Sequence, residues 1–143
     1  MNKILTFFGG DSQVGTTMIA QAVAELLAKK DKKVLLILGS GEYGTDYINC
    51  KTEISIDDIR VNLSNNQISE EDVNEILFEN NKVSVLPGIK NITTLKYYGI
   101  DYLETLIKIL SKNYQYIILD AGNNIQYGLS VSALKYGEER YYI

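Results

Sequence analysis

Four mainly apolar stretches set the frame of this chain. Ile4-Leu5-Thr6-Phe7-Phe8 stops at Gly9-Gly10, and Val34-Leu35-Leu36-Ile37-Leu38 stops at Gly39. Val83-Ser84-Val85-Leu86 stops at Pro87-Gly88, and Tyr116-Ile117-Ile118-Leu119 ends on Asp120. Short runs of β-branched, aliphatic and aromatic residues closed by glycine or proline predict strands. The run 34–38 contains no polar residue, so neither of its faces meets water. Such a strand belongs in a parallel sheet covered by helices on both sides.

Between the strands the period changes. Met18, Ile19, Ala22, Val23, Leu26 and Leu27 recur at helical spacing and predict a helix from Thr17 with that set as its buried face. Lys29, Lys30, Lys32 and Lys33 follow near its C-terminal end, where the helix dipole favours positive charge. Ser55 and Ser69 read as N-caps because acids follow each, Asp57-Asp58 and Glu70-Glu71-Asp72. They predict helices over 56–63 and 70–79, the second with an acidic, solvated face. Tyr102, Leu103, Leu106, Ile107 and Leu110 predict another helix, and a further one is expected near 128–136 before a short strand from Arg140 to Ile143. Residues 39–54, with Gly39, Gly41 and Gly44, read as a loop. There is no internal repeat or linker, so 1–143 reads as one domain. Strands alternating with helices predict a doubly wound α/β fold, a mostly parallel sheet in three α/β/α layers.

Composition narrows the chemistry. In 143 residues, 45% are hydrophobic and 22% charged, as in an ordinary globular domain. There is no histidine and one cysteine, Cys50, so an intrachain disulfide, the usual zinc sites and histidine-based triads are excluded. Cys50 reads as an inert loop thiol. A net charge of −4 argues against nucleic acid as a partner. No apolar run is long enough for a bilayer span and no leader pattern opens the chain, which reads as soluble and cytoplasmic. Eleven tyrosines invite two readings: a partner surface, or a codon bias that enriches Tyr, Asn, Ile and Lys together.

One segment has the form of a chemical site. Gly10-Asp11-Ser12-Gln13-Val14-Gly15-Thr16-Thr17 lies between a predicted strand and a predicted helix and has the frame G-x-x-x-x-G-x-T. That is a phosphate-binding loop with Thr16 in the lysine position. Its glycines let backbone N–H groups turn inward, and the helix N-terminus adds positive potential. Thr17 has the place of the hydroxyl that meets Mg²⁺. Asp120, at the end of a hydrophobic strand and just before Ala121-Gly122, has the place of the acid that reaches the metal through water.

These residues resemble the deviant Walker A P-loop ATPases of the MinD/ParA class. Residues 4–38 are similar to that class's first strand, loop, helix and second strand. Tyr116–Asp120 resembles its Walker B strand, Val83–Gly88 the strand before it, and Ser132-Ala133-Leu134 through Ile143 the helix and strand after it. The Val-Gly-Thr-Thr ending is most similar to the bacterial TadZ/CpaE branch, whose members replace the loop lysine and serve pilus assembly and polar localisation. The resemblance implies ATP or ADP with Mg²⁺ as ligands, a protein partner, and dimers that pair face to face across bound nucleotide. It also implies further strands and helices past Ile143, so the chain reads either as part of a longer protein or as a reduced form.

The departures change the expected chemistry. Asp11 stands where the class has its signature lysine, Thr16 where it has the loop lysine, and Ser12 and Gln13 where it has glycines. The acid at the end of the second strand is replaced by Leu38. A like-charge contact at ~4 Å costs about 4 kcal/mol at an effective dielectric of 20. Two cations are gone and an anion is added around a polyanionic ligand, so ordinary ATP hydrolysis is not expected. Two functional readings follow. In one, the loop is a turn inherited with the fold, binds nucleotide weakly or not at all, and the domain acts by protein interaction or localisation, with any homodimer independent of nucleotide. In the other, Thr17 and Asp120 hold Mg²⁺ in a slow ATP-dependent switch.

Overall fold

Every residue of the second apolar run is buried, and around it the sheet is built. The computed structural model describes residues 2–11, 14–40 and 54–143. Six strands, β1 (Lys3–Phe8), β2 (Val34–Leu38), β3 (Phe78–Asn80), β4 (Val83–Leu86), β5 (Tyr116–Asp120) and β6 (Glu139–Tyr142), lie in the order β3-β4-β2-β5-β1-β6. All neighbours are parallel except the β3–β4 pair. β5 sits between β1 and β2, with Phe7 and Leu38 both opposite Asp120. The doubly wound, mostly parallel sheet expected from the sequence is therefore present.

The alternation of side chains divides the core in two. On one face Leu35, Ile37, Ile117 and Leu119 pack with Leu103, Leu106 and Leu110 of α4 (Tyr102–Leu110) and with Leu129 and Ala133 of α5 (Gly128–Tyr136). On the other, Leu36, Leu38 and Ile118 pack with Ala20, Ala24 and Ala28 of α1 (Thr16–Lys29). Here the expected buried face of α1 is corrected. The helix turns its small-residue stripe to the sheet, while Met18 and Leu26 are 67% and 59% exposed. Alanines four apart let the helix backbone approach a flat, fully covered strand layer; Val23 and Leu27 fill only its flanks.

The first capped segment is helical over its expected span, 56–63, and the second is shorter than its cap predicts. Ser55 and Ser69 do form capping boxes with Asp58 and Asp72. The first leads into a single 3-10 turn, Ile56–Ile59, and then α2 (Arg60–Ser64). The second opens α3, which runs only Glu70–Asn74. Phe78 and Glu79, expected as the end of that helix, instead open the antiparallel strand β3. Asn81 and Lys82, with φ of 51° and 66°, make the tight turn back into β4. A further 3-10 segment, Ile92–Tyr97, precedes α4. Of the expected loop 39–54, only Gly39, Ser40 and Ile54 fall within the described residues, and Cys50 lies outside them. Among the described residues no helix is long and apolar enough to cross a membrane.

Candidate phosphate-loop site

Parallel strands end side by side, so the C-terminal ends of β1, β2 and β5 meet at one edge. Backbone bonds sew them together. Ala121 N–H donates to Phe7 O at 2.9 Å, Gly39 N–H to Asp120 O at 2.8 Å, and Gly9 N–H to Gly122 O at 2.8 Å. Gly122 has φ of +65°, and a Cβ there would stand 2.7 Å from the Ser40 Cβ. Glycine is required by both conformation and space.

The loop leaves β1 over this edge. Gly10 N–H donates to Ile143 O at 3.0 Å, and a Cβ on Gly10 would meet the Tyr142 hydroxyl at 2.2 Å. Asp11 and Val14 are exposed, while Ser12 and Gln13 lie outside the described residues. Gly15, at φ of +89°, turns the chain into α1, and no side chain caps that helix. Its first-turn N–H groups and the positive end of its dipole face the loop.

The first two helical residues point in different directions. Thr16 is 7% exposed, and its Oγ1 lies 2.2 Å from where a Gly9 Cβ would be. The hydroxyl folds back under the loop and is buried with no hydrogen-bond partner among the described residues. Thr17 instead faces β5, and its Oγ1 donates to Asp120 Oδ2 at 2.6 Å. The other carboxylate oxygen, Oδ1, accepts the Gly122 N–H at 3.0 Å. Asp120 is fully buried. A threonine hydroxyl has one proton and two lone pairs. Donation to Asp120 uses the proton and leaves the lone pairs for a cation, so this pair fits Mg²⁺ held by Thr17 directly and by Asp120 through water. The end of β2 adds no carboxylate, since Leu38 is buried in the core.

The structure thus brings together Gly10, Gly15, Thr16, Thr17 and Asp120, with Asp11 and Val14 at the exposed rim. Sequence reasoning missed three participants. Tyr142 and Ile143 fasten Gly10 from the far end of the chain, with no local signal to mark them. Ser130, buried with its Oγ unpartnered among the described residues, stands 3.9 Å from where a Gly122 Cβ would be, on the first turn of α5. Among the described residues no group of three His, Cys, Asp or Glu is placed to hold a metal ion.

No family model matches the chain, and no curated protein matches it. Solved structures do. The ParA family ATPase of Chlorobium tepidum superimposes with a TM-score of 0.82 at 19% identity over 99% of this chain. The septum site-determining protein MinD of Pyrococcus horikoshii, complexed with Mg-ADP, gives 0.80 at 20% identity over 100% of it. A plasmid partition protein of Borrelia burgdorferi bound to AMPPNP gives 0.79 at 20% identity over 99% of it. The chain spans 60%, 58% and 61% of those three. Its fold is the P-loop α/β fold of ParA- and MinD-type ATPases.

Proposed function

We propose that this domain is a ParA/MinD-like module with a degenerate phosphate loop, acting by protein interaction or localisation in a pilus-assembly- or secretion-like process, with weak or no nucleotide binding. The observation that carries this reading is the state of the lysine position. Thr16 is folded under the loop with its hydroxyl unpartnered among the described residues, and Asp11 is the one charged residue among positions 9–17. A triphosphate there would meet backbone N–H groups, a helix dipole and the Thr17 hydroxyl, but no cation from the loop. Helix-terminus stabilisation of about 0.3–1 kcal/mol is opposed by the like charge of Asp11 and reinforced by no loop lysine.

The Thr17–Asp120 pair favours the second reading, a slow ATP-dependent switch. Bound Mg²⁺ would neutralise phosphate charge and order the ligand against the loop. Mg-ADP and AMPPNP are what two of the fold neighbours carry. Synthetase chemistry is set aside because it too relies on the loop lysine.

Thermal unfolding with and without ATP–Mg²⁺ separates the two. Ligand at 100 times its Kd stabilises by about 2.7 kcal/mol, a rise of several degrees in Tm. The interaction reading expects little or no rise at millimolar nucleotide, and a rise of several degrees at micromolar nucleotide would overturn it. The double variant Asp11→Lys, Thr16→Lys should gain ATP affinity by calorimetry, because the G-x-x-x-x-G-x-T frame survives while its charges do not. No gain would mean that the backbone cradle itself is lost.

A further inference from the structure

A polar cleft of about 630 Å³ opens where β1, β2 and β5 begin, at the opposite end of the sheet from the phosphate loop. Its walls include Asn2, Lys33, Lys112, Asn113 and Gln115. Two cations and three amides line it, in a chain whose net charge is −4. The volume falls in the range of ordinary ligand pockets.

The donors divide into committed and uncommitted groups. Gln115 uses its carbonyl to accept the Lys33 backbone N–H at 2.9 Å, which fixes the amide and leaves its –NH₂ without an acceptor among the described residues. The Lys33 ammonium likewise has no partner among the described residues. Across the cleft, Lys112 and Asn113 already hold a carboxylate. Glu70 accepts from Asn113 Nδ2 at 2.6 Å and pairs with Lys112 Nζ at 2.9 Å. The Glu70 contact raises the Lys112 pKa and lowers that of Glu70. The turn leading into Lys33 adds exposed Lys29, Lys30 and Lys32, with Asp31 the one acid in the run.

We infer that this cleft is a docking site for an acidic peptide segment of a partner protein, with Lys33 and Gln115 as the open donors and Lys112–Asn113 as a pair that Glu70 occupies in the free state. The inference rests on the interaction-module reading and gives it a surface. Carboxylates suit the cleft because Lys112 and Asn113 already bind one. Extended nucleic acid is disfavoured because its run of phosphates would pass beyond these few donors onto Glu70 and the rest of a chain of net charge −4, whereas one or two peptide carboxylates need only the donors of the cleft. A concave, amide-lined cleft also fits a narrow peptide better than the flat surface of a bilayer.

The test is titration of the full chain with hexaglutamate at low ionic strength, read by amide NMR shifts. Hexaglutamine, a short DNA duplex and vesicles of phosphatidylglycerol serve as comparisons. The expected result is saturable hexaglutamate binding with shifts centred on Asn2, Lys33 and 112–115. Lys33→Glu with Lys112→Glu should weaken it about tenfold or more. Glu70→Gln should tighten it severalfold by releasing Lys112 and Asn113, an effect that a diffuse lysine surface would not give. Shifts elsewhere, indifference to either variant, or equal or tighter binding of hexaglutamine, duplex or vesicles would overturn the inference. ATP–Mg²⁺ binding in the same samples reports on the loop separately: tight nucleotide binding would sink the functional reading while leaving the cleft standing.

Discussion

Thr17 and Tyr98 are single side chains on which a buried and a half-buried carboxylate depend. Thr17 gives Asp120 its hydroxyl bond at the sheet edge. Thr17→Val keeps the shape and removes the donor, so it should lower stability by about 1–3 kcal/mol in urea unfolding, while Thr17→Ser should restore most of the loss. The second case lies beside the β4–α4 connection. Asp57 Oδ1 accepts from Tyr98 Oη at 2.5 Å and from Thr94 Oγ1 at 2.8 Å, and Oδ2 accepts the Lys90 N–H at 3.1 Å. Burial works to raise the Asp57 pKa, but these bonds outweigh it and hold the carboxyl below its ordinary 3.8. Burial and the same contact push the Tyr98 hydroxyl strongly upward. A carboxyl with a lowered folded pKa stabilises the fold above its ordinary value and loses that contribution as pH falls through the lowered one. Tyr98→Phe should therefore cost about 1.5 kcal/mol at neutral pH. The deficit should shrink below pH ~4, as Asp57 is protonated in both proteins. Unfolding curves at neutral and acid pH check this, and a deficit constant across that window would remove Asp57 from the account.

Among the elements, strands were more legible than helix faces. β1, β2, β4 and β5 announce themselves because a strand buried on both faces has to be continuously apolar. The existence of α1 was legible too, but not its orientation. Hydrophobic size favours the Met18–Leu26 side, whereas close packing on the sheet selects Ala20, Ala24 and Ala28. Strand β3 was hidden for a different reason. A two-residue turn with both residues at positive φ is usually marked by Asn-Gly, and here it is Asn81-Lys82. The strained position gives a prediction: Lys82→Gly should stabilise the domain by about 0.5–1 kcal/mol, because lysine pays a steric penalty at φ of +66° that glycine avoids. Chemical denaturation measures it, and a loss of stability would mean that the Lys82 side chain contributes more than its backbone costs. The site was legible in part for the same kind of reason. Thr17 and Asp120 carry a local motif on a strand–helix junction, whereas Tyr142, Ile143 and Ser130 join them only through the order of strands.

At the scale of the whole molecule the question is association. Nucleotide-dependent pairing, which the resemblance to the MinD/ParA class implies, would bring the phosphate loops of two copies together. Asp11 is exposed at the loop rim, so that arrangement would carry two carboxylates towards any bound phosphates, and like charges across an interface cost affinity. The tyrosines of 97–116 do not form one continuous outer patch as an alternative. Tyr98 is 4% exposed and stacks edge-on against Tyr102 at 4.5 Å, and Tyr102 donates to Arg60 O at 2.5 Å, whereas Tyr97 is 54% exposed. The burial that turns Tyr98 and Tyr102 inward also raises the Tyr102 pKa to about 12. Tyrosine enrichment in this stretch thus serves packing at least as much as contact. Any self-association away from the phosphate loop would be indifferent to nucleotide. Sedimentation velocity should therefore give the same distribution with and without ATP–Mg²⁺, whether that distribution is monomeric or dimeric. A monomer that dimerises only when nucleotide is added would overturn this expectation, because Asp11 would then have to be tolerated at the paired phosphates and the chain would act as a working switch.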